Sequence, residues 1–474
     1  MDRSVDFNGQ PFHFIGIGGI GMSGLAYILA EKQLPVSGSD LRSTNITQRL
    51  EAAGARIFPE QSALNLETFQ NHAQSSVLLS KISRAIAIRP ATTVPQVICS
   101  TAINDTNPEY QAALALGYPI FHRSDLLAAL MQDYHSIAVA GTHGKTTTSS
   151  MVGYILLKAG LDPTIIVGGE VDAWHGNART GKGEYLVAEA DESDGSLAKL
   201  TAKIGVITNI ELDHPDFYHS LDQVIDIFQT FAGRCPLVVG CIDCQQIREQ
   251  IRPQISYALH RPADYTVSQV LYTAEGTQAQ VWERGQLLGV LNLRVLGGHN
   301  LSNALAAIAV SRHLGIDWHT ISQALQHFGG AKRRFEFRGE FKGAQLFDDY
   351  AHHPSEIRVT LTAARLRAKG MRIVAVFQPH RYSRTKAFLA EFAQAFTEAD
   401  QVVITDIYSA GEQNPGDIDA HTLSRAIAEY QPQVTYQPNL DAVESFLRDF
   451  LQPNDLVIFL GAGNLNTVIP RLAD

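Results

Sequence analysis

The sequence predicts an α/β protein with three domains in series. Short apolar runs alternate with helical patterns along nearly all of the 474 residues, as expected for layered sheets of mainly parallel strands. A glycine-rich turn separates a strand from a helix at two places, near residues 16–21 and 141–144. The chain is also too long for one hydrophobic core. The predicted domains are residues 1–125, 126–331 and 332–474.

Composition excludes several classes of protein. Hydrophobic residues make up 45% of the chain and charged residues 18%, which is typical of a folded enzyme and not of a disordered chain. The apolar runs are too short to cross a bilayer, and the first ten residues lack the apolar segment of a signal peptide, so we expect a cytoplasmic protein without a membrane partner. A net charge of −10 argues against nucleic acid as a partner. Anionic small molecules would be held locally, by loops and a few arginines.

The elements of the first domain follow from its apolar runs. "FHFIGIG", "PVSGSD" and "VPQVICSTAI" have the character of buried strands, and "YPIFHRSDLLAALM" that of a strand followed by a helix. The segment 64–95 is less periodic and is predicted to form loops or an insertion.

The same rhythm continues through the other two domains. "SIAVAG", "EYLVAEADE", "KIGVITNIELDH" and "PLVVGC" predict strands of the second domain, followed by strand-like alternation in "AQVWERGQLLGVLNLRVL" and a helix in "HNLSNALAAIAVSRHLG". "MRIVAVFQP", "DQVVITDIY" and "DLVIFLGAG" predict the third domain, which starts near "KRRFEFRGEF".

The first glycine turn has the pattern of a dinucleotide fingerprint. Gly16, Gly18, Gly19 and Gly21 follow an apolar strand and open an amphipathic helix, so backbone N–H groups can approach a diphosphate. Asp40, at the end of the next strand, could accept hydrogen bonds from a ribose or base. The pattern alone leaves three possibilities: NAD, another diphosphate such as a UDP-sugar, or a tight turn that binds nothing.

The second glycine turn predicts a triphosphate site. It departs from the usual G-x-x-x-x-G-K-[ST] spacing because the first glycine would fall on Val139, but the shorter G-T-H-G-K-T-T fits between a strand and a helix. Lys145 would reach the β- and γ-phosphates, and the Thr146 hydroxyl would bind Mg²⁺. The residues predicted to bind ATP in this turn are Gly141, Thr142, His143, Gly144, Lys145, Thr146 and Thr147.

Carboxylates and a histidine follow two strands of the same domain. "LVAEADESDG" carries Glu189 and Asp191, and "VITNIELDH" carries Asn209, Asp213 and His214. Strand ends are where open α/β sheets place ligands, and these groups beside a triphosphate suggest two Mg²⁺ ions that neutralise a transferred phosphoryl group. Taken alone, a histidine such as His214 is more often a capping or packing residue than a metal ligand.

The motifs "GTHGKTTT", "EADES", "NIELDH", "GGHNLSNALAA", "RRFEFRG" and "DDYAHHP" occur in this order along the chain. Together they resemble the Mur ligase family, the ATP-dependent amide ligases that build the stem peptide of the bacterial cell wall. The resemblance covers essentially the whole chain. It implies a Rossmann-like N-terminal domain that binds UDP-N-acetylmuramate, a central P-loop ATPase domain, and a Rossmann-like C-terminal domain that binds the amino acid and closes over ATP.

The stretches "HFIGIGGIGMSGLA", "SGSD", "FQPHRYSRT" and "DDYAHHPSE" point, within the family, to addition of the first amino acid. The implied reaction joins L-alanine to the carboxylate of UDP-N-acetylmuramate through an acyl-phosphate, an early cytoplasmic step of peptidoglycan synthesis. Three alternatives stay open: a ligase that recycles a whole tripeptide onto the same UDP-sugar, an NAD-dependent dehydrogenase, and a non-catalytic nucleotide-switched binding protein.

The resemblance also implies roles for individual residues. The UDP-sugar would contact Gly18, Gly19, Gly21 and Asp40. Thr146 and Glu189 would bind one Mg²⁺, and His214 a second. Further ATP contacts would come from Asn300, Arg334 and Asp349, and the amino acid would be bound by Tyr350, His352, Arg381 and Arg384. The catalytic residues would be Lys145, Glu189, His214 and Arg334.

Two of these assignments have simpler interpretations. Arg381 and Arg384 would share a face if their segment is helical, and one guanidinium could clamp a carboxylate, but the pair could also be a solvated basic surface. The basic run around Arg334 could likewise be a solvated face. Several relatives hold the second metal with a carbamylated lysine, whereas this chain has no lysine between Lys203 and Lys332.

Overall fold

A computed structural model describes residues 4–69 and 94–473. Most of the segment 64–95, predicted as loops or an insertion, therefore lies outside the described residues. Contacts between residues divide the chain into two compact units. Unit 1 comprises Met1–Ala140, Gly160–Gly205 and Thr230–Leu237, and unit 2 comprises Gly141–Ala159, Val206–Gln229 and Val238–Asp474.

The described residues include helices that we number in chain order. They are α1 (Ile20–Glu31), α2 (Asn45–Ala52), α3 (Pro108–Ala115), α4 (Arg123–Gln132), α5 (Lys145–Lys158), α6 (Leu221–Gly233), α7 (Gly298–His313), α8 (Trp318–His327), α9 (Pro354–Ala368), α10 (Tyr382–Ala387), α11 (Leu389–Ala393), α12 (Ala420–Ala428), α13 (Leu440–Phe450) and α14 (Val468–Ala473).

The strands are numbered in the same way. They are β1 (Phe12–Ile15), β2 (Val36–Ser39), β3 (Arg56–Phe58), β4 (Gln96–Cys99), β5 (Ile120–His122), β6 (His135–Ala140), β7 (Thr164–Val171), β8 (Gly176–Arg179), β9 (Tyr185–Glu189), β10 (Ile204–Ile207), β11 (Leu237–Cys241), β12 (Ile255–Tyr257), β13 (Tyr265–Tyr272), β14 (Thr277–Glu283), β15 (Gln286–Leu293), β16 (Glu336–Phe341), β17 (Ala344–Asp349), β18 (Arg372–Phe377), β19 (Gln401–Thr405), β20 (Val434–Gln437) and β21 (Asp455–Leu460).

Unit 1 begins with a parallel sheet in the order β3-β2-β1-β4-β5. The central strand β1 is buried along its whole length, as its apolar sequence requires. One polar side chain in it, His13, is also fully buried, with Nδ1 2.9 Å from Ser37 Oγ and Nε2 2.7 Å from Glu109 Oε1. Asn65 donates a further hydrogen bond to Glu109. This satisfied polar network joins β1, β2 and α3 beneath the first glycine turn.

The second group of strands in unit 1 has the order β6-β9-β7-β8. β6, β9 and β7 are parallel, and β8 folds back on β7 as an antiparallel hairpin. The hairpin packs on α1, where Asn177 Nδ2 donates to Ile20 O (2.5 Å) and lies 3.1 Å from Ser23 Oγ. Arg49 on α2 donates to Ala178 O at 2.8 Å. The first two helices are thus attached to this hairpin by hydrogen bonds as well as by packing.

Unit 2 contains two sets of strands, of which the first comprises β11 to β15. In this set β11 and β12 pair in parallel, and β13, β14 and β15 form an antiparallel meander. Helices α5 and α7 pack against each other and carry the residues of the second glycine turn and of "GGHNLSN".

The C-terminal sheet of unit 2 has the order β16-β17-β21-β18-β19-β20, parallel except for the β16–β17 pair. Its faces are covered by different helices: Ile373, Ala375 and Phe377 pack with the α9 side, and Val374 and Val376 with the α13 and α14 side. Burial of both faces explains why these strands are continuous apolar runs and not alternating ones.

The α/β class, the series of domains and the strand positions predicted from the apolar runs are confirmed. Residue 125, where the first domain is predicted to end, lies in the first turn of α4, whose N-cap is His122, and Asp125 accepts from the His122 N–H. One feature differs from expectation. The β7–β8 hairpin was not predicted. Among the described residues, no helix combines the length and apolar character needed to cross a membrane.

Candidate active site

The second glycine turn has backbone dihedral angles that would be strained for residues other than glycine. It connects β6, which ends at Ala140, with α5, which begins at Lys145; Gly141 has φ of 137° and Gly144 has φ of 80°. A Cβ at position 141 would collide with Thr208 Oγ1, and one at position 144 would lie 2.5 Å from Asn303 Oδ1. The turn therefore exposes backbone at a helix N-terminus, which is the arrangement of a phosphate cradle.

Residues after β10 hold this turn in place. The N–H of His143 donates to Asn209 Oδ1 (2.9 Å), while Asn209 Nδ2 and Thr208 Oγ1 donate to His143 O at 3.0 and 2.5 Å. Thr142 N–H donates to Asn209 O (3.0 Å), and Thr142 Oγ1 accepts from the Glu211 N–H (2.9 Å). Asn209, predicted as an oxygen ligand near a metal, instead has both ends of its amide bonded to the turn.

The first turn of α5 carries the residues predicted to meet the phosphates. Lys145 Nζ donates to Gly141 O (2.7 Å) and Thr142 O (3.1 Å), so the ammonium lies against the glycine turn. Thr146 and Thr147 are buried directly after it. The turn thus brings a cation, a hydroxyl and a helix N-terminus together in unit 2.

The imidazole of His143 lies between two carboxylates. Its Nε2 is 3.6 Å from Glu211 Oε2, and its Nδ1 is 3.4 Å from Glu356 Oε1 on α9. Burial alone would lower the pKa of His143, but the two carboxylates outweigh burial and raise the pKa to about 10. Burial opposes ionisation of Glu211 as well, yet His143 lowers the pKa of Glu211 to about 2. The three groups form a charged cluster beside the turn.

His353 extends this cluster. Its ring lies 4.7 Å from that of His143, and together with Glu211 the two histidines present ligand atoms within 4.8 Å of one another, a spacing a divalent cation could use. However, His353 Nδ1 accepts from the Ser355 N–H (3.3 Å) as the cap of α9, which leaves the ring proton on Nε2. Both ring nitrogens of His143 face a carboxylate, Glu211 on one side and Glu356 on the other. We therefore interpret the cluster as ion pairs and not as a metal site.

Arg334 and Asp349 lie beside the same cluster. Arg334 Nη1 is 3.7 Å from Glu356 Oε1, and its guanidinium lies 5.4 Å from the centre of the Tyr350 ring. Asp349 is buried and accepts from the N–H groups of Phe335 and Ala351, both at 2.8 Å. Burial raises the pKa of Asp349 to about 6 against the lowering effect of Arg334. The predicted basic run thus holds an arginine in contact with the cluster.

The N-terminus of α7 also approaches the glycine turn. Asn303 faces Gly144, and Asn303 Nδ2 donates to Asn300 Oδ1 (3.3 Å). Asn300 Nδ2 donates to Leu296 O (2.8 Å). His299 is close enough to Arg334 that the arginine's charge adds to burial in lowering the pKa of His299 to about 4. The structure therefore brings the segment predicted to contact adenine to the second glycine turn.

Arg384 has a buried acidic partner. Its side chain is 2% exposed, and its Nε donates to Asp213 Oδ1 at 2.9 Å. Burial opposes ionisation of Asp213, but Arg384 holds the pKa of that carboxyl well below its usual range. Other parts of the guanidinium lie 3.3 Å from His380 Nδ1 and 3.5 Å from His214 Nδ1. The predicted metal ligand His214 thus adjoins the predicted carboxylate clamp.

Arg381 and Arg384 do not form the shared helix face that was considered. The helix α10 begins at Tyr382, and Arg381 precedes it with φ of 70°. Arg381 Nη1 donates to Asp216 (3.0 Å) and lies 3.4 Å from Glu412. The two arginines therefore serve different carboxylates, and neither belongs to a merely solvated surface.

Tyr350 and His352 are adjacent, with ring centres 5.3 Å apart. His352 Nδ1 lies 2.9 Å from Tyr350 O, and its ring is 5.7 Å from that of His380. Burial lowers the pKa of His352 to about 4, so this ring is neutral at physiological pH. Three of the four residues predicted for the amino acid, Tyr350, His352 and Arg384, are thus connected through His380.

The first glycine turn lies in unit 1. Gly16 has φ of 77°, and the Gly18 N–H donates to Asp40 Oδ2 at 2.9 Å. Asp40 therefore accepts a hydrogen bond from the turn itself. A Cβ on Gly21 would lie 3.2 Å from Arg123 Nη1, which places a guanidinium beside the N-terminus of α1. Arg123 is in turn 2.7 Å from Asp191 Oδ2.

Glu189 also lies in unit 1, at the end of β9. Its Oε2 accepts from the Gly168 N–H at 2.7 Å, and a Cβ on Gly168 would lie 2.5 Å from Oε1. The carboxylate is therefore held at the strand end, as predicted for a ligand position.

Sequence reasoning missed several residues that the fold brings to the site. Glu356 had a recognisable signal, because "HPSE" has the spacing of a capping box, with the glutamate at the third helical position. His353 belongs to the paired histidines of "DDYAHHP", but no role was predicted for it, and Glu211 and His380 had no local signal that would single them out. In unit 1, Arg123 beside the first glycine turn was also missed.

Three family profiles match successive parts of the chain. They are described as the Mur ligase family, catalytic domain (residues 11–135), the Mur ligase middle domain (139–311), and the Mur ligase, glutamate ligase domain (333–463).

Curated relatives and solved structures agree with the profiles. A UDP-N-acetylmuramate–L-alanine ligase of Nostoc punctiforme is 62% identical over 475 residues, covering 100% of this chain and 98% of its own, and one of Synechococcus elongatus is 58% identical with the same coverage. The UDP-N-acetylmuramate–alanine ligase of Thermotoga maritima aligns with a TM-score of 0.80 and 28% identity over 98% of both chains. A murein peptide ligase of Psychrobacter arcticus shares the fold, with a TM-score of 0.70 and 23% identity over 98% of both chains. The chain therefore belongs to the Mur ligase family.

Proposed function

We propose that this enzyme joins L-alanine to the carboxylate of UDP-N-acetylmuramate at the expense of ATP, in the cytoplasm. The observation that carries the proposal is full-length identity of 62% to a relative of that name. The tripeptide ligase alternative has weaker support, because the murein peptide ligase aligns with lower identity and a lower TM-score than the alanine ligase. The dehydrogenase alternative does not account for the second glycine turn.

The second turn is the proposed ATP site. Three observations support this site: a Cβ at Gly141 or Gly144 would collide with neighbouring atoms, Lys145 lies against the turn, and α5 begins there. Lys145 would move from the carbonyls of the turn to the β- and γ-phosphates. Asn300, Arg334 and Asp349 are proposed as further ATP contacts; among them Arg334 has a cationic side chain directed at the cluster around His143.

Magnesium is proposed as the metal, with two ions. Thr146 and Glu189 would hold one ion and His214 the other, and the hydroxyl and carboxylate are the hard donors that Mg²⁺ prefers. The ions would offset the negative charge of the phosphates. This assignment rests on donor chemistry and on the order of the motifs along the chain.

The reaction requires activation because a carboxylate and an amine do not condense unaided in water. A carboxylate oxygen attacks the γ-phosphorus, and the bond between the γ-phosphorus and the oxygen that bridges to the β-phosphate breaks. ADP departs as the leaving group, and the sugar carboxylate becomes an acyl-phosphate. The neutral amine of alanine then attacks the carbonyl carbon, loses a proton, and the tetrahedral intermediate expels phosphate. Lys145 would stabilise charge in the first step, and positioning of the reactants would contribute much of the rate.

The amino-acid site is proposed around Tyr350, His352, Arg381 and Arg384. For Arg384 to clamp a carboxylate, its N–H groups would have to leave Asp213, or the clamp would use the edge that faces His380. The side chain of Arg381 is 31% exposed, and its guanidinium could bind the carboxylate of the amino acid in place of Asp216.

The UDP-sugar is proposed to bind the first glycine turn through Gly18, Gly19, Gly21 and Asp40. The glycine turn at the N-terminus of α1 and the position of Arg123 beside Gly21 support an anion site there. The three functional domains are proposed as residues 1–125, 126–331 and 332–474, for the UDP-sugar, for ATP, and for the amino acid with closure over ATP.

Phosphate release tests this proposal. Purified enzyme is given ATP, Mg²⁺ and UDP-N-acetylmuramate, and single L-amino acids are screened, with L-alanine expected to stimulate release. Stimulation by the tripeptide together with no response to L-alanine would favour the recycling ligase. Tight NADH binding without ATP hydrolysis would favour the dehydrogenase.

A further inference from the structure

The side chain of His143 has a contact set distinct from that of its backbone. The backbone N–H and C=O bond to Asn209 and Thr208. The side chain is 14% exposed and faces Glu211 at 3.6 Å and Glu356 at 3.4 Å. The path of the glycine turn is therefore fixed independently of the imidazole, which makes its contacts away from the turn.

Glu356 connects the imidazole to other parts of the site. Its Oε2 accepts from the His352 N–H (3.0 Å) and the His353 N–H (3.3 Å), which fixes the carboxylate at the start of α9. Its Oε1 faces both His143 Nδ1 and Arg334 Nη1, at 3.4 and 3.7 Å. One oxygen of Glu356 thus faces both the imidazole of His143 and the guanidinium of Arg334, the arginine proposed to reach ATP.

Glu211 restrains the imidazole from the other side. Its Oε2 accepts from Ser355 Oγ at 2.7 Å, so Glu211 is itself attached to the first turn of α9. Both carboxylates that face His143 therefore contact the same helix end. Without a cation between them, two anions would lie beside the turn where a triphosphate is proposed to bind.

We propose that His143 is a positioning residue whose imidazole connects the second glycine turn to the N-terminus of α9 and, through Glu356, sets the position of Arg334. The inference rests on the proposed function, since it concerns how Arg334 meets the phosphates. It assigns no chemical step to His143. The imidazole holds Glu356, and Glu356 holds the arginine.

A positioning role for His143 predicts different effects on ATP binding and on the turnover of phosphate release. Replacing His143 with Gln removes the charge but not the backbone hydrogen bonds of the turn, so the ATP dissociation constant, measured by titration calorimetry without UDP-sugar, should change less than about threefold. The kcat for phosphate release should fall about tenfold, because Arg334 loses its restraint. His319→Gln, on the exposed face of α8, is the matched control and should leave both quantities unchanged.

A double-mutant cycle tests the route through Glu356. If His143 acts through this carboxylate, His143→Gln combined with Glu356→Gln should have nearly the same kcat as Glu356→Gln alone. Multiplicative losses in the double variant would overturn the proposal, as would an unchanged kcat in His143→Gln. A thermal unfolding midpoint far below that of the wild type, with ATP affinity and kcat reduced together, would indicate a merely structural role and would also overturn it.

The wild type separates failure of this inference from failure of the proposed function. If the wild type releases no phosphate with L-alanine, the proposed function is wrong. If the wild type is active and His143→Gln is equally active, only the positioning role is wrong.

Discussion

The buried ion pair between Asp213 and Arg384 gives a quantitative test of the site. Both side chains are at most 5% exposed, and two guanidinium nitrogens lie 2.9 Å from the same carboxylate oxygen. Asp213→Ala would leave the guanidinium buried without its counter-ion and would remove the acceptor of the His214 N–H (2.7 Å). Removing one partner of a buried pair costs about 3–5 kcal/mol. Arg384→Leu should have a similar cost because it strands the carboxylate.

The double variant Asp213→Ala/Arg384→Leu should be more stable than either single variant. Replacing both partners removes the uncompensated charge, and apolar replacements of whole pairs are often neutral. With a urea m-value of about 2–3 kcal/mol/M, a cost of about 3–5 kcal/mol should lower the unfolding midpoint of each single variant by about 1–2.5 M. The double variant should recover at least half of that shift.

The assay is urea unfolding followed by tryptophan fluorescence in a Trp174→Phe background. Trp282 and Trp318, the tryptophans that remain, both lie in unit 2 with the ion pair. Asp449→Ala, at an exposed position of α13, is the control and should shift the midpoint by less than about 0.3 M. Single variants that shift it no further than this control, or a double variant whose shift equals the sum of the two, would refute the reasoning.

Three further predictions concern the two glycine turns. Gly144→Ala places a Cβ in the left-handed region at a cost of about 1–2 kcal/mol and against a side chain of α7, so ATP affinity in titration calorimetry should fall at least about tenfold; retained affinity would contradict the cradle. The pKa of His143 is raised to about 10 from an ordinary value of about 6.5 by its two carboxylate neighbours, so its stabilising contribution is complete below pH ~6.5 and is lost as pH rises towards 10. The difference in urea midpoint between the wild type and His143→Gln should accordingly shrink from pH 6 to pH 9.5, and a constant difference would argue against a charged imidazole. Asp40→Ala removes the acceptor of a turn N–H, so the dissociation constant of the UDP-sugar should rise about tenfold while that of ATP stays constant; equal losses for both ligands would point to global damage.

The elements that the sequence predicted well are those whose burial is nearly complete. Strands such as β18 and β21 are apolar at almost every position because both faces of their sheet are covered, and this leaves a continuous run that reads directly as a buried strand. The β7–β8 hairpin was missed because its strands include glycines and polar residues, and its packing partner α1 lies far away in the chain. Burial against a distant helix leaves no periodic signal of its own.

The turns themselves were predictable for a local reason. Gly141 and Gly144 have positive φ, where residues with a side chain are strained. The glycines in the sequence therefore indicate the backbone geometry of the turn. Glycine, lysine and threonine between a strand and a helix therefore indicate an anion cradle even before any contact is known.

Partnerships within the site were decided by the tertiary structure alone. Arg384 and Asp213 are 171 residues apart, and which carboxylate an arginine meets depends on how distant strands and helices are packed together. The same holds for His143 and Glu356, whose contact gives the imidazole its charge. Residue types and spacing determined the glycine turns and the apolar strands, because these are local properties of the chain. Charge states and ion-pair partners belong to the folded protein, because they depend on burial and on neighbours that only folding supplies.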